Sequence, residues 1–250
     1  MKKKIYYLAG LPRAGNTLLS CILNQNPKVK VTPNSYLPEI IYRIFLLKGE
    51  KIFQNFPDHK SLDDIIKKIF INYYDNIDAE VIFERSCWGT KFNLEMLKKY
   101  YNKNPKFLIL NRPIVEIVAS FIKVARVENM DTISKNLFNE KNGKLIKDIR
   151  SARNIVKTKQ NYLMIDYDDL IDKTKETIDK IYKYFNLPKF KHDFSKLKQY
   201  SFNDMYYNDN VLDFNLHTIR TDKIAKQECK ISDYLSEELI NKLKGYNIYE

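Results

Sequence analysis

Apolar residues along the chain fall into two patterns, short continuous runs and helical spacing. The runs at residues 5–9, 81–84, 106–110 and 162–165 are typical of buried strands. Helical spacing covers residues 16–24, 38–48, 61–74, 94–101, 113–127, 132–157, 170–185 and 236–244, with a break expected near Asn142. Strands that are separated by helices predict an α/β fold, with a central parallel sheet flanked by helices on both faces.

The 250 residues show no internal repeat and no Gly/Ser-rich or Pro-rich linker, so we expect a single domain over residues 1–250. No apolar run reaches the ~18 residues that a membrane span needs, and we expect no membrane partner. Three scattered cysteines, Cys21, Cys87 and Cys229, indicate neither a disulfide framework nor a zinc site. A reducing, cytoplasmic location is the corresponding prediction.

The formal net charge of +12 invites a nucleic-acid-binding hypothesis. Of the 43 basic residues, however, only eight are Arg, and the Lys-, Asn-, Ile- and Tyr-rich composition resembles a coding bias that spreads lysines over the whole surface. The charge therefore favours anionic ligands in general, and we expect no nucleic-acid partner.

A glycine-containing loop joins the first predicted strand to the first predicted helix. Gly10, Gly15 and Thr17 fit the spacing of a phosphate-binding loop, in which backbone N–H groups and the helix dipole bind an anion. Nucleoside triphosphatases have a lysine at the position of Asn16, whereas here Arg13 supplies a guanidinium within the loop. The loop thus predicts an anion shorter than a triphosphate and no metal; an ordinary strand–helix turn is the alternative.

The stretch "GLPRAGNTLL" resembles the 5′-phosphosulfate loop of sulfotransferases that use 3′-phosphoadenosine 5′-phosphosulfate (PAPS). It is most similar to the branch that contains the tyrosylprotein sulfotransferases and bacterial relatives. The resemblance implies a P-loop NTPase-like sulfotransferase fold, PAPS as sulfuryl donor and no metal. It also implies cofactor contacts by Pro12, Arg13, Ala14, Gly15, Asn16, Thr17 and Leu18.

Two further segments resemble the same family. In "KFLILNRPIVEIVAS" the resemblance implies that Arg112 and Ser120 bind the 3′-phosphate of PAPS; a surface ion pair and a helix serine bonded to its own backbone are the alternatives. Pro113 replaces the family's Asp or Asn, so we expect Arg112 to lack a neighbouring carboxylate. In "NYLMIDYDDL" the resemblance implies that the Tyr167 hydroxyl reaches the same phosphate, with simple packing as an equal alternative.

The resemblance covers residues 5–33, 88–125 and 161–188, which leaves residues 34–85 and 190–250 as the expected acceptor side. It implies Arg13 and Lys91, in "CWGTKFN", as catalytic cations. A base should take the acceptor proton, and Glu39 is the first candidate, with His217 beside Arg220 as the second and Glu84 as the third. The bland interpretation of Glu39 is a first-turn carboxylate facing the helix dipole.

The resemblance implies an enzyme that moves a sulfuryl group from PAPS to a hydroxyl or amine of a carbohydrate, small-molecule or peptide acceptor. A P-loop-type nucleotide kinase or ATPase is the first alternative, and it would need a lysine and Mg²⁺ ligands from elsewhere in the chain. A catalytically inactive relative that binds PAPS or a nucleotide is the second.

Overall fold

The computed structural model describes residues 3–125, 137–139, 143–209, 216–219, 222–226, 229–246 and 248. Within these ranges the strands form one parallel five-stranded sheet with the order β2-β3-β1-β4-β5. The strands are β1 (Lys4–Leu8), β2 (Val29–Asn34), β3 (Val81–Arg85), β4 (Lys106–Asn111) and β5 (Asn161–Asp166). The predicted α/β class with a central parallel sheet is confirmed.

Helices occupy the connections between the strands. They are α1 (Asn16–Leu23), α2 (Leu37–Leu46), α3 (Lys51–Asn55), α4 (His59–Asn72), α5 (Lys91–Tyr100), α6 (Ile114–Ala125), α7 (Lys144–Lys157), α8 (Tyr167–Asp172), α9 (Thr174–Phe185) and α10 (Glu237–Lys244). No helix in the described ranges is both long enough and apolar enough to cross a membrane.

Aromatic contacts show that both faces of the sheet are covered. Adjacent residues of a strand point to opposite faces. On one face Tyr6 lies 4.8 Å from Phe185 of α9, measured between ring centroids. On the other face Tyr7 lies 5.6 Å from Trp88, which in turn packs against Phe70 of α4. The sheet is therefore the central layer of a three-layer core.

The strand order creates a crevice between β1 and β4. The chain leaves β1 toward β2, across β3, but leaves β4 in the opposite direction toward β5. Diverging connections open a space at the carboxyl ends of the strands, where α/β proteins bind ligands. The segment after β1 carries Arg13 and the segment after β4 carries Arg112, so the fold brings both predicted anion sites to this edge.

Several elements differ from the sequence-based prediction. Strand β2, which contains Pro33, was not predicted; it pairs only with β3, and an edge strand tolerates a proline that donates no hydrogen bond. The short helix α3 was also not predicted. The helix expected over residues 170–185 is two helices, α8 and α9, separated at Lys173. Of the helix expected over residues 132–157, residues 132–136 and 140–142 lie outside the described ranges, and its last part is α7, which begins after Gly143.

Candidate functional site

A cleft of about 440 Å³ opens at the carboxyl edge of the sheet. Ten of the residues singled out from the sequence line it: Pro12, Arg13, Gly15, Asn16, Thr17, Leu18, Arg112, Ser120, Tyr167 and His217. Ala14 is instead fully buried in the core beneath the loop. The structure thus brings the three sequence motifs together in one cavity, although they are far apart in the chain.

The Asn16 side chain stabilises the loop by bonding to the loop itself. The residue is 3% exposed, and Nδ2 donates a 2.6 Å hydrogen bond to the Leu11 carbonyl. A Cβ added at Gly10 would lie 2.1 Å from Asn16 Oδ1, so the asparagine amide fills the space that the glycine leaves.

The turn before α1 leaves backbone donors facing the cleft. Gly15 has a φ of +93°, and a Cβ at this position would lie 3.0 Å from the Tyr167 ring, so the turn requires glycine. Leu19 N–H donates to the Gly15 carbonyl. In the described part of the chain no acceptor pairs with the N–H groups of Asn16, Thr17 and Leu18. These donors at a helix N-terminus are suited to an anion.

Arg112 lines the cleft and makes contacts with three other residues of the described chain. Its Nη1 donates to the Arg13 carbonyl over 2.9 Å, and its Nε donates to Glu116 over 3.0 Å. Its guanidinium carbon lies 4.2 Å from the centroid of the Tyr167 ring. The expectation that Arg112 lacks an orienting carboxylate is therefore wrong, because Glu116, one helical turn further on in α6, supplies it. The Tyr167 ring thus packs against the Arg112 guanidinium.

Arg13 connects the loop to two other segments of the chain. Its Nε donates to Ser120 Oγ over 3.2 Å, and its Nη1 donates to the Leu216 carbonyl over 2.9 Å. Its φ of +60° is in the left-handed region, which is uncommon for a residue other than glycine. The guanidinium is thus fixed between α6 and the C-terminal segment that carries His217.

Two of the predicted catalytic residues lie away from the cleft. Glu39 is in the first turn of α2, where it forms a 2.8 Å ion pair with Arg43. Lys91 is exposed at the start of α5, and neither residue lines the cavity. Glu84 is fully buried in β3, where Oε1 lies 3.4 Å from the Tyr74 hydroxyl. Burial raises the pKa of Glu84 to about 8, despite hydrogen bonds from Ser35 and Tyr74.

His217 lines the cleft and is oriented by a carboxylate. Its Nδ1 lies 2.7 Å from Oδ1 of Asp209, and its backbone N–H donates to Oδ2 of the same residue over 2.8 Å. The Tyr207 ring stacks on the imidazole at 3.8 Å, with 6° between the planes. Burial lowers the pKa of His217; Asp209 opposes this effect, and Arg85 and Arg13 add to it. Arg220 lies outside the described residues.

The sequence-based reasoning missed several charged residues of the site, among them Arg85, Asp148 and Asp209. Arg85 and Asp148 line the cleft, and burial raises the pKa of Asp148 to about 6 against the effects of Arg85 and Lys147. The sequence does contain a signal that could have identified Arg85. This arginine ends the apolar strand "VIFER", and Arg112 likewise stands directly after the end of an apolar strand, β4. Asp148 and Asp209 lie in stretches with no comparable pattern.

Comparisons with known proteins agree with this geometry. The family model described as "Sulfotransferase family" matches residues 7–192. A sulfotransferase from Alicyclobacillus acidocaldarius superimposes with a TM-score of 0.52 at 12% identity, over 85% of this chain and 89% of that one. The sulfotransferase domain of the Synechococcus PCC 7002 olefin synthase gives a TM-score of 0.50 at 16% identity, over 76% of each chain. At these identities the structural matches show a shared fold.

No curated protein matches the chain by sequence. The family match nevertheless spans well over half of the residues and includes the loop, Arg112 and Tyr167. The chain belongs to the sulfotransferase family.

Proposed function

We propose that this protein transfers a sulfuryl group from PAPS to a hydroxyl of an acceptor, without a metal. The observation that carries the proposal is the pair of anion sites in one cleft. N–H groups at the start of α1, with no acceptor among the described residues, would form the first, and Arg112 with Ser120 would form the second. A nucleotide that is phosphorylated at both its 5′ and 3′ ends requires two such sites.

The residues fit the donor as follows. The N–H groups of Asn16, Thr17 and Leu18, together with Arg13, would hold the phosphosulfate. Arg112, which Glu116 and Tyr167 orient, would bind the 3′-phosphate elsewhere in the same cleft. When bound, PAPS supplies the sulfuryl group and leaves as adenosine 3′,5′-bisphosphate.

The buried Asn16 argues against a kinase or an ATPase. Those enzymes place a lysine at this position, and its amine reaches the β- and γ-phosphates of a triphosphate. Here the side chain is bonded to the Leu11 carbonyl inside the loop. A ligand with no γ-phosphate does not need that lysine.

His217 is our proposed general base, in preference to Glu39 and Glu84. Asp209 accepts from Nδ1, so a neutral imidazole presents Nε2 as the proton acceptor, and none of the described residues occupies that nitrogen. Burial keeps the imidazole neutral near pH 7 by lowering its pKa. Arg13 lies in the same cleft, and we assign to it the cationic role that the sequence suggested for both Arg13 and Lys91.

Thermal unfolding with added nucleotides tests the proposal. A ligand that binds only the folded protein raises its stability by ~2.7 kcal/mol at 100 times its Kd. We expect adenosine 3′,5′-bisphosphate to raise the Tm and ATP with Mg²⁺ to have a much smaller effect. A Tm shift with ATP and Mg²⁺ but none with the bisphosphate would instead support a nucleotide kinase or hydrolase. Transfer of ³⁵S from labelled PAPS to an acceptor would then establish activity.

A further inference from the structure

A recess of about 70 Å³ adjoins the cleft on the side of β2 and β3. Its wall includes Gly10 and Pro12 of the loop, Asn34 at the end of β2, Arg85 at the end of β3, and Asp148 of α7. Arg112 and Tyr167, in contrast, follow β4 and β5 on the other side of β1. The loop after β1 therefore lies between the residues proposed to bind PAPS and the recess. The proposed PAPS contacts do not occupy the recess.

Arg85 presents hydrogen-bond donors that none of the described residues accepts from, apart from the Tyr207 hydroxyl. The residue is 9% exposed, and its guanidinium makes one side-chain hydrogen bond, from Nη1 to the Tyr207 hydroxyl over 3.5 Å. No other acceptor for this guanidinium occurs in the described part of the chain. Because buried polar groups are normally paired, the remaining N–H groups point to a ligand.

Asp148 presents the complementary acceptors beside Arg85. Its carboxylate has no hydrogen bond and no ion pair with any residue in the described ranges. Asp148 and Arg85 line both the recess and the main cleft, so both groups face space that a ligand can enter. One wall thus offers a carboxylate acceptor and a guanidinium donor side by side.

We propose that this recess binds a hydroxyl group of a neutral carbohydrate acceptor, next to the hydroxyl that is sulfated. A hydroxyl both donates and accepts, so it can donate to Asp148 and accept from Arg85 at once. A carboxylate would be repelled by Asp148, and an ammonium group would be repelled by Arg85. This inference rests on the proposed sulfuryl transfer and names its acceptor class.

The proposed base lies in the main cleft and is connected to the recess through Tyr207. The Tyr207 hydroxyl accepts from Arg85 and from the backbone N–H of Asn34, and the Tyr207 ring stacks on His217. A sugar held by Asp148 and Arg85 would therefore have a second hydroxyl near the imidazole. The recess sets which hydroxyl is presented, so Asp148 and Arg85 are specificity-determining residues in this account.

Transfer from labelled PAPS tests this assignment with defined acceptors. The acceptors are the methyl glycosides of glucose, galactose and mannose with their monodeoxy analogues, and N-acetyltyrosinamide and ethanolamine for comparison. We expect at least one glycoside to be sulfated, and one of its monodeoxy analogues to lose tenfold or more in kcat/KM. Asp148→Asn should cause a similar loss with the parent glycoside, whereas Asp172→Asn, at an exposed position, should not.

Two binding measurements separate this inference from the proposed function. Adenosine 3′,5′-bisphosphate should bind the wild type and Asp148→Asn equally well, which shows that the variant is folded and its donor site intact. Saturation-transfer NMR should detect the glycosides on the wild type but not on Asp148→Asn, with or without the bisphosphate. If the bisphosphate fails to bind while the glycosides bind through Asp148, the donor assignment fails and the recess stands. Sulfation of N-acetyltyrosinamide alone, glycosides that do not bind the wild type, or an unaffected Asp148→Asn would overturn the carbohydrate assignment.

Discussion

At the scale of single residues, the structure explains the asparagine that replaces the usual phosphate-loop lysine. Asn16 stabilises the loop through the Leu11 carbonyl and fits against Gly10. Local glycine spacing was sufficient to single out the loop and Arg13, whereas Arg112 was singled out by the family resemblance; both arginines line the cleft. The partner of Arg112 was missed because only position 113 was considered, whereas residues four apart on a helix, such as Glu116, are also neighbours.

Replacing Gly10 by Ala should destabilise the fold. The new Cβ would displace the Asn16 amide and leave its buried hydrogen bond to Leu11 unmade, a loss of about 1–3 kcal/mol. Urea unfolding measures the change in the free energy of unfolding. Gly49→Ala is the matched control, since nothing lies within 4 Å of its added Cβ. Equal stabilities for the two variants would contradict a stabilising role of the Asn16 amide in the loop.

His217→Gln should lower kcat by about 10²–10⁴-fold, the usual contribution of a general base, while bisphosphate affinity stays unchanged. His59→Ala, at an exposed position, is the control and should have no effect. A wild-type kcat in His217→Gln would show that His217 is not the base and that another group of the cleft takes the acceptor proton.

Asp209→Asn should reveal the positioning of His217. The wild-type rate should fall as the pH drops through the lowered pKa of His217, because protonation removes the base. Asp209 raises that pKa, so its loss should move the acidic limb of the pH–rate profile to lower pH and reduce kcat more than KM changes. A profile that keeps its wild-type limb would mean that Asp209 does not act on the imidazole.

At the scale of the elements, predictability followed the strength of the periodic pattern. The buried strands β1, β3 and β4 read clearly as apolar runs, whereas the edge strand β2 was hidden by Pro33. The segments that carry Asp209 and His217 have no periodic pattern, and their place in the cleft depends on contacts with residues far away in the chain, such as Arg13 to Leu216. Strand β3 also holds Glu84 in its buried interior.

Glu84 should make the stability of the fold depend on pH. Its pKa rises from 4.5 to about 8 on folding, so the folded state holds a proton that the unfolded chain has lost between these values. The free energy of unfolding should thus fall as the pH rises through this window, by up to about 1.4 kcal/mol per pH unit. Urea unfolding at pH 5 to 8 should show this slope reduced in Glu84→Gln and unchanged in Glu39→Gln. Parallel profiles for Glu84→Gln and the wild type would contradict a neutral Glu84.

At the scale of the whole molecule, the strand order determines where the cleft lies. The diverging connections after β1 and β4 open the crevice, and residues from segments far apart in the chain line it. Lys123, Lys147 and Lys223 also line the cleft, so part of the +12 net charge is concentrated where an anionic donor would bind. The fold class could be read from the sequence, but the choice of His217 among the candidate bases and the recess beside Arg85 and Asp148 required the three-dimensional arrangement.

The most direct test of the two-anion cleft is calorimetric titration of the protein with adenosine 3′,5′-bisphosphate and with adenosine 5′-monophosphate, which lacks the 3′-phosphate. The wild type should bind the bisphosphate more tightly by tenfold or more, since a charge-assisted hydrogen bond contributes roughly 1.5–3 kcal/mol. Arg112→Ala should lose most of this preference while its affinity for the monophosphate changes little, and Arg153→Ala is the control at a distant arginine. Equal affinities of the wild type for the two nucleotides, or a preference that survives in Arg112→Ala, would contradict the assignment of the cleft to PAPS.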